Sequence, residues 1–485
     1  MGDDDQSGTA LEDEGSALWR AEEAAAACGG RLDGRAEWTA GGVDIDSRSL
    51  RPGDLFVALP GDGRDGHDFI AAAFDKGAAA ALATHRPQGL DPSAPLLIVT
   101  AAQRGLERLG AAGRRRARAM GAVAVTGSVG KTSTKEMLAT ILSRVGPTHA
   151  AEKSFNNHIG VPLSLARTAP EAHFGVYEVG MSAPGEIAPL ARLVAPDVAL
   201  ITAVEAAHLE AFESIDGIAD EKASIFEGLR ENGLAIAFAD GPTAARVARR
   251  ARDLGVGAFW SFGAAGIEAR LLSTRLEPDH TLVEAEILGQ RLSFTIGAPG
   301  AHFAMNALGA LLAAARLGAD LEAAAQALAR WGAGAGRGAK ERLTALCGGD
   351  TLLLDESYNA NPASLKAALA VFAAQPARRR VAFLTDMLEL GPTAPALHAA
   401  IAETAEIEAV DVVHTAGPLA KALYDALPPE RRGEHFETAE ALEARAPALL
   451  RDGDAVLVKG SNGSKAHAIA AALRTFGAPA AKNGA

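Results

Sequence analysis

Apolar residues along this chain gather in short runs that are separated by longer amphipathic stretches. One series of runs occupies residues 122–126, 175–179, 198–202 and 234–238, and a second occupies 352–354, 381–384, 412–413 and 455–458. Helical patterns fill the intervals between the runs. This alternation is typical of parallel sheets with crossover helices. We therefore predict an α/β protein with two doubly wound regions, of which the second is smaller.

The first part of the chain has a different pattern, in which short strands mix with Ala-rich helices. Val43 and Ile45 alternate with Asp44 and Asp46, as in a half-buried strand, and residues 55–59 form a short apolar run that suits a buried strand. A Gly/Ala-rich segment at 331–340 marks a later boundary. We predict helices at 102–119, 131–142 and 302–331. The predicted organisation is a disordered acidic tail (1–16) and three domains, at 17–103, 104–333 and 334–485.

The run at 122–126 leads into the sequence Val125-Thr-Gly-Ser-Val-Gly-Lys-Thr-Ser-Thr134. A strand that ends in a glycine-rich turn before a helix directs backbone N–H groups and the positive end of the helix at an anion. Lys131 would neutralise phosphate charge, and the Thr132 hydroxyl would face a magnesium ion. The alternative is a plain turn before an ordinary helix. The motif predicts a nucleoside triphosphate but does not identify the reaction.

Two further residues follow predicted strands at the edge where parallel sheets collect ligands. Glu178 ends the run at 175–179, and His208 follows the run at 198–202. A carboxylate near nucleotide phosphates usually holds magnesium. Taken alone, His208 fits a cap or surface histidine better than a ligand. Lys222, in the stretch "IADEKASIFEGL", by itself indicates only a solvated lysine on a helix.

Composition narrows the class of protein further. The formal net charge of −13 argues against non-specific binding to nucleic acid. Cys28 and Cys347 are the only cysteines, which fits a reducing cytoplasm. No apolar run reaches the roughly 18 residues of a membrane helix. The basic run Arg114-Arg115-Arg116, with Arg118, predicts a solvated helix face. We expect a cytoplasmic monomer without membrane insertion.

Several motifs taken together resemble the ATP-dependent Mur ligases of bacterial cell-wall synthesis. The nucleotide loop of that family reads Thr-Gly-x-x-Gly-Lys-Thr/Ser, as residues 126–132 do here. The sequence Asp355-Glu-Ser-Tyr-Asn-Ala-Asn-Pro362 resembles the Asp-Asp-Ser-Tyr-Asn-Ala-Asn-Pro of the branch that adds D-alanyl-D-alanine. Supporting stretches are "GDLFVALPGDGRDGHDFI", "EKSFNNHIGVPLSL", "AAHLEAF" and "DMLELG". The resemblance covers nearly the whole chain beyond residue 17.

The resemblance implies a fold, an activity and a set of cofactors. The fold would combine an N-terminal UDP-sugar domain, a central P-loop-type ATPase domain with a parallel sheet, and a C-terminal Rossmann-like domain that binds the incoming dipeptide. The activity would join D-Ala-D-Ala to UDP-N-acetylmuramoyl-tripeptide (UDP-MurNAc-tripeptide) through an acyl phosphate. The cofactors would be ATP, two Mg²⁺ ions and a carbamate formed on Lys222 by carbon dioxide.

The resemblance also assigns roles to individual residues. Catalytic roles fall on Lys131, Lys222, His208 and Arg337, and metal binding falls on Thr132, Glu178, His208 and Lys222. ATP contacts fall on Gly127, Ser128, Val129, Gly130, Lys131, Thr132, Ser133, His302, Asn306, Arg337, Asp355, Glu356 and Tyr358. Substrate contacts fall on Ser47, Arg48, Asn156, Asn157, Asn359 and Asn361.

The sequence departs from the family pattern at several positions, and alternatives remain open. The departures are Ala203, Asp220, Ser224, Glu356, Thr385 and Asn462. A related ligase adds the third amino acid of the peptide, but it usually carries an Asp-Asn-Pro-Arg sequence that is absent here. A folylpolyglutamate synthase would lack the UDP-sugar domain. A non-catalytic UDP-sugar-binding homologue is the alternative outside enzymes, although Lys131, Glu178 and His208 are all present.

Overall fold

The computed structural model describes residues 17–477, apart from residues 62, 118, 153, 207–209, 347 and 348. The acidic segment 1–16 lies outside these residues, so its disorder stays a prediction. The chain forms two compact units. The first contains the residues up to Met120 together with Ala151–Gly175, and the second contains Gly121–Ala150 and everything from Val176 onward. The domain limits drawn from the sequence stay predictions.

The first unit is built around a five-stranded sheet. The strands of the whole unit are β1 (Trp19–Arg20), β2 (Arg31–Asp33), β3 (Thr39–Ala40), β4 (Gly42–Asp44), β5 (Asp54–Val57), β6 (Pro60–Gly61), β7 (Arg64–Asp65), β8 (Ala80–Ala83) and β9 (Leu96–Ile98). The sheet order is β2-β9-β8-β5-β4, parallel except for β2. β1 pairs with β3 and β6 with β7. The helices are Ala21–Cys28, Ile70–Asp75, Ala102–Arg116 and Gly160–Ala166.

The helices Ala102–Arg116 and Gly160–Ala166 pack against each other with their backbones in contact. A Cβ atom at Gly110 would lie 2.6 Å from the Pro162 carbonyl oxygen, and one at Gly113 would lie 2.3 Å from that of Leu165. Glycine is therefore required at both positions. The Trp19 indole Nε1 also donates to the Ala166 carbonyl at 2.8 Å. Residues 151–175 thus complete the core of this unit.

The prediction of a solvated basic face on the helix Ala102–Arg116 is wrong for two of its arginines. Arg114 is buried and donates to the Ala117 carbonyl at 3.0 Å. The Arg116 guanidinium lies 3.7 Å above the Trp19 ring and contacts Glu23 at 2.9 Å. Their long side chains bring the charged groups to carbonyl, aromatic and carboxylate partners, while only Arg115 is exposed. Arg118 lies outside the described residues.

The second unit begins with a nine-stranded sheet. Its strands are β10 (Gly121–Thr126), β11 (Thr148–Ala150), β12 (Phe174–Glu178), β13 (Val198–Ile201), β14 (Leu234–Phe238), β15 (Ala258–Gly263), β16 (Ala269–Leu276), β17 (Thr281–Ile287) and β18 (Gln290–Ile296). The order is β11-β12-β10-β13-β14-β15-β16-β17-β18. The run from β10 to β16 in this order is parallel, and β16, β17 and β18 form an antiparallel extension that the sequence pattern did not predict.

The helices of this sheet confirm one prediction and correct another. They are Lys131–Leu142, Ile187–Val194, Ile215–Ala223, Ala244–Asp253, Ala301–Arg316 and Leu321–Ala327. The first has the predicted bounds. The stretch predicted as helical over 302–331 is divided, because the chain turns at Gly318, whose φ is +90°. The Asp320 side chain then caps the next helix by accepting from Ala323 N at 2.9 Å.

A six-stranded sheet follows in the same unit. Its strands are β19 (Ala339–Leu346), β20 (Gly349–Glu356), β21 (Arg379–Thr385), β22 (Val412–Ala416), β23 (Arg432–Phe436) and β24 (Asp454–Lys459). The order is β19-β20-β24-β21-β22-β23, parallel except for β19. The helices are Pro362–Ala373, Ala394–Ala399, Ala420–Ala426, Ala439–Arg445 and Ala466–Gly477. Separate apolar clusters pack around it, as the doubly wound prediction requires. Within the described part of the chain, no helix combines the length and apolarity of a membrane span.

Candidate active site

The glycine loop lies between β10 and the helix Lys131–Leu142, where the backbone requires its two glycines. Gly127 and Gly130 have φ values of +151° and +84°. A Cβ atom at Gly127 would lie 1.8 Å from Thr202 Oγ1, and one at Gly130 would lie 2.4 Å from Asn306 Oδ1. The loop is therefore a tight cradle against both neighbouring segments, with its backbone at the start of a helix.

The segment that follows β13 fixes the shape of this loop. The Thr202 hydroxyl donates to the Val129 carbonyl at 2.5 Å, and Ser128 N donates to the Ala203 carbonyl at 2.9 Å. The Ser128 hydroxyl donates to the Glu205 carbonyl at 2.9 Å. Because Ala203 contributes a main-chain atom, its departure from the family pattern leaves this contact available.

The Thr132 and Glu178 side chains are in contact next to the glycine loop, as expected of residues at the carboxyl ends of neighbouring parallel strands. Glu178 ends β12, which neighbours β10 in the sheet. Thr132 Oγ1 donates to Glu178 Oε2 at 2.7 Å, and both side chains are buried. A hydroxyl and a carboxylate are oxygen donors that suit Mg²⁺, which usually completes its shell with water and substrate phosphates. The pair therefore fits a magnesium ion.

The predicted metal ligand His208 lies outside the described residues, and its role stays a prediction. Within the residues that the structure describes, no three His, Cys, Asp or Glu side chains converge on a metal position by themselves.

Two lysines face this site, of which Lys131 is half-buried and Lys222 is buried. Lys131 Nζ donates to the Gly127 carbonyl at 2.7 Å. Burial lowers the pKa of Lys131, the Glu178 carboxylate opposes that change, and the Arg337 guanidinium adds to it. Lys222 is only 2% exposed, so the indication of a solvated lysine is wrong. Burial, and then the charge of Lys131, hold the pKa of Lys222 well below its ordinary value, while Glu221 opposes them.

The helix Ala301–Arg316 closes the other side of the loop. Asn306 is buried beside Gly130, and its Nδ2 has no hydrogen-bond partner among the described residues. An unpaired buried donor is costly, so this atom fits a ligand acceptor. Burial and the charge of Lys459 lower the pKa of His302 to about 4. His302 is therefore neutral near pH 7, as suits contact with an uncharged base.

Arg337 is bound to the motif at 355–362. Its guanidinium lies 3.9 Å above the Tyr358 ring, within the range of a cation–π contact. The backbone on either side is paired with the motif, since Tyr358 N donates to the Gly336 carbonyl at 3.0 Å and Gly338 N donates to that of Asp355 at 2.8 Å. The charge of Arg337 also reaches Lys131. The motif therefore lies close enough to the glycine loop for the charge of its arginine partner to act on Lys131.

The acidic pair of the motif makes two different sets of contacts. Asp355 accepts from the Ser357 hydroxyl and from Arg474, each at 2.6 Å. Glu356 Oε2 lies 3.4 Å from Lys459 Nζ. Burial raises the pKa of Glu356, and the Lys459 ammonium opposes this change. Lys459 was not predicted, although it ends an apolar strand as Glu178 does, and that place was a usable signal.

The predicted substrate residues fall in both units. Asn361 caps the helix Pro362–Ala373 by accepting from Ser364 N at 2.8 Å, and Asn359 is exposed. In the first unit, the exposed Arg48 contacts Asp46 at 2.7 Å. The other first-unit residues in this set are Ser47, Asn156 and Asn157. All of these roles stay predictions.

The other departures from the family pattern have partners close to them in the fold. Asp220 accepts from Arg246 at 2.8 and 2.6 Å. The Ser224 hydroxyl donates to the Glu221 carbonyl at 2.6 Å. The Thr385 and Ser464 hydroxyl oxygens lie 2.6 Å apart, and Asn462 is exposed. None of these contacts involves the glycine loop.

Comparison with known proteins covers most of the chain. Three family models match: "Mur ligase family, catalytic domain" at 39–118, "Mur ligase middle domain" at 125–314 and "Mur ligase, glutamate ligase domain" at 341–462. The UDP-N-acetylmuramoyl-tripeptide–D-alanyl-D-alanine ligase of Escherichia coli strain K12 is 37% identical over 452 residues, which cover 92% of this chain and 96% of that protein.

Solved structures extend the comparison to three dimensions. A crystal structure of MurF from Acinetobacter baumannii has a TM-score of 0.81 and 27% identity, and covers 94% of this chain and 99% of that one. MurF from Thermotoga maritima in complex with ADP has a TM-score of 0.73 and 25% identity, and covers 90% of this chain and 97% of that one. These matches confirm the predicted three-domain α/β fold.

Proposed function

Since the chain belongs to the Mur ligase family, we propose that it joins D-Ala-D-Ala to UDP-MurNAc-tripeptide at the expense of ATP. The products are the UDP-MurNAc-pentapeptide, a precursor of peptidoglycan, with ADP and phosphate. The observation that carries this proposal is the position of Arg337, which stacks on Tyr358 of the family motif while its charge reaches Lys131 of the glycine loop. This position supports a single centre for the nucleotide end and the motif of the dipeptide-adding branch.

The chemistry explains why a ligase needs this centre. An amine does not attack a carboxylate directly, because the anion is a poor electrophile and oxide is a poor leaving group. Transfer of the γ-phosphoryl group of ATP to the terminal carboxylate of the tripeptide gives an acyl phosphate and ADP. The amine of D-Ala-D-Ala then attacks the acyl carbon, and phosphate departs from the tetrahedral intermediate. Lys131 and Arg337 supply positive charge where negative charge develops, and holding the reactants in line lowers the entropic cost.

The magnesium and carbamate assignments belong to the same proposal. Thr132 and Glu178 would hold one Mg²⁺, and His208 and Lys222 would contribute to a second. Bound magnesium would neutralise the crowded phosphate charge. The buried Lys222 supports a carbamate, because its lowered pKa favours the neutral amine that reacts with carbon dioxide. As an ammonium it would repel Lys131, whereas a carbamate would reverse the sign of that interaction.

The remaining assignments complete the proposal. Ser47, Arg48, Asn156 and Asn157 would contact the UDP-sugar, and Asn359 and Asn361 would contact the peptide substrates. His302 and Asn306 would contact the nucleotide. Because ATP and a UDP-linked peptide are the substrates, we place the reaction in the cytoplasm, with the enzyme acting as a monomer.

Phosphate release by the purified protein tests the proposed function. The complete mixture holds ATP, Mg²⁺, UDP-MurNAc-tripeptide and D-Ala-D-Ala, and we expect release only when all four are present. Lys131→Met should abolish it, whereas Lys366→Met, at an exposed helix position, should not. Phosphate release without D-Ala-D-Ala would refute the assignment of the protein to dipeptide addition. Addition of a third amino acid to a UDP-MurNAc-dipeptide would identify the related ligase, and thermal shifts with ATP and UDP-sugar without turnover would indicate a binding protein.

A further inference from the structure

One guanidinium in the first unit joins the two segments that we assign to the UDP-sugar. Arg167 directly follows the helix Gly160–Ala166, and its Nε donates to the Val43 carbonyl at 2.6 Å. Its Nη2 lies 3.2 Å from Asp44 Oδ2, and its Nη1 lies 3.6 Å from Glu152 Oε2. The Arg167 side chain is 19% exposed and that of Asp44 is 10% exposed. The charges of Arg167 and Asp44 are therefore largely withdrawn from solvent, and the geometry of a charge pair matters most in such surroundings.

On one side, Arg167 fixes the residue that shapes the Ser47 and Arg48 loop. Asp44 accepts hydrogen bonds from Ile45 N at 2.7 Å and from Asp46 N at 3.0 Å. A carboxylate that accepts from the backbone just beyond it sets the turn that follows. The orientation of Asp44 therefore determines how Ser47 and Arg48 are presented.

On the other side, Arg167 contacts the segment that carries Asn156 and Asn157. The Glu152 carboxylate approaches Nη1, and the Phe155 ring lies 5.6 Å from the Arg167 guanidinium carbon. Asn157 Oδ1 accepts from Gly160 N at 2.9 Å, which ties the end of this segment to the helix that leads to Arg167. Both predicted ligand-binding segments are thus attached to one side chain.

We propose that Arg167 is a positioning residue for the UDP-sugar, which holds the 44–49 loop, Glu152 and the 154–157 segment in the register that the ligand requires. The inference rests on the proposed function, because it takes Ser47, Arg48, Asn156 and Asn157 as substrate contacts. A lysine cannot replace the arginine fully, because one ammonium cannot present the fixed fork that reaches Val43, Asp44 and Glu152 together.

The test compares Arg167→Met and Arg167→Lys with Arg31→Met, a matched control at an arginine that is 70% exposed in the same unit. We expect Arg167→Met to raise the KM for UDP-MurNAc-tripeptide roughly tenfold or more, from the loss of a largely buried charge contact. The KM for ATP should stay unchanged, and Arg167→Lys should recover only part of the loss. Calorimetric titration with UDP-MurNAc should weaken in parallel, and Arg31→Met should leave every value unchanged.

A structural role alone would lower the thermal midpoint of Arg167→Met and leave the KM for UDP-MurNAc-tripeptide unchanged, which would overturn the proposal. Equal increases in both KM values would do the same. If Arg167→Met does not fold, Glu152→Gln decides the matter, because Glu152 is 64% exposed and its replacement spares the core. An unchanged KM for UDP-MurNAc-tripeptide in that variant would refute the bridging role. If the wild-type protein binds UDP-MurNAc but forms no amide, the proposed function fails while the titrations still test Arg167.

Discussion

Replacing Lys459 with Met would leave Glu356 buried without its cation. The two charged atoms are 3.4 Å apart, and the side chains are 2% and 12% exposed. At an effective dielectric constant of about 20, two unit charges at this distance attract by roughly 5 kcal/mol, before the cost of desolvation. Removing one partner of a buried pair typically costs about 3–5 kcal/mol. The hydrogen bond from Lys459 Nζ to the Asn359 carbonyl, at 2.9 Å, would also be lost.

The loss should depend on pH in a definite direction. Burial already raises the pKa of Glu356 above its ordinary value, and Lys459 opposes that increase. Without Lys459, the pKa of Glu356 rises further in the folded state. A carboxyl with a raised folded-state pKa stabilises the fold fully below its unfolded pKa, and this contribution is lost as the pH rises through the folded value. The Lys459→Met deficit should therefore be larger at pH 8 than at pH 5.

Native-state hydrogen exchange of peptides from β20 and β24 measures the local opening free energy. We expect Lys459→Met to lower it by about 4 kcal/mol at pH 8, within the range for a broken buried pair. Peptides from β8 in the first unit serve as an internal reference. Adding Glu356→Gln should restore much of the loss, because the unpaired charge disappears. A deficit below about 1 kcal/mol, which is no more than one ordinary hydrogen bond, or an equal deficit at both pH values, would refute the reasoning.

Three other outcomes follow from the site. Lys222→Ala should lower kcat by about 10–100-fold, which is the range for a residue that supports a metal site. Labelling with ¹³C-bicarbonate should give a carbamate resonance only when Lys222 is present, and full activity in buffer free of carbon dioxide would contradict the carbamate. Gly130→Ala should raise the KM for ATP more than Gly185→Ala, because both glycines have φ near +85° but only at Gly130 would the new methyl group meet a side chain, that of Asn306. Equal KM values for ATP in the two variants would refute a role for that contact. Tyr358→Leu should lower kcat/KM about two- to fivefold through loss of a cation–π contact with Arg337, whereas Tyr358→Phe should not, and equal losses would implicate the hydroxyl.

The parallel strands could be predicted because burial on both faces makes them continuous apolar runs. The bounds of β14 and of the helix Lys131–Leu142 agree with the sequence pattern. β16 to β18 were not predicted, because polar residues interrupt their apolar positions. In β17, buried and half-buried positions alternate strictly along Thr281–Ile287. That period of two was present in the sequence, but its polar half concealed it.

The residues of the site could likewise be predicted only where the signal lies in the neighbouring sequence. Glu178 could be placed because strand ends share one edge of a parallel sheet. Lys222 could have been recognised as buried, since Ile218, Lys222 and Phe226 recur at four-residue spacing. The burial of Arg116 could not be predicted in this way, because its carbonyl partner, Leu18, lies 98 positions away in sequence. Charged side chains with distant partners need the fold before their environment is known.

The discontinuity of the first unit has a consequence for the order in which the chain folds during synthesis. A nascent chain that ends at Met120 contains the residues of the helix Ala102–Arg116 but lacks those of the helix Gly160–Ala166 against which it packs. The first unit cannot close until Ala151–Gly175 has left the ribosome, and by then the intervening glycine loop is already exposed. Because domains usually fold as units from the N-terminus, the nucleotide loop spends part of synthesis as an open connection between two halves of another folding unit.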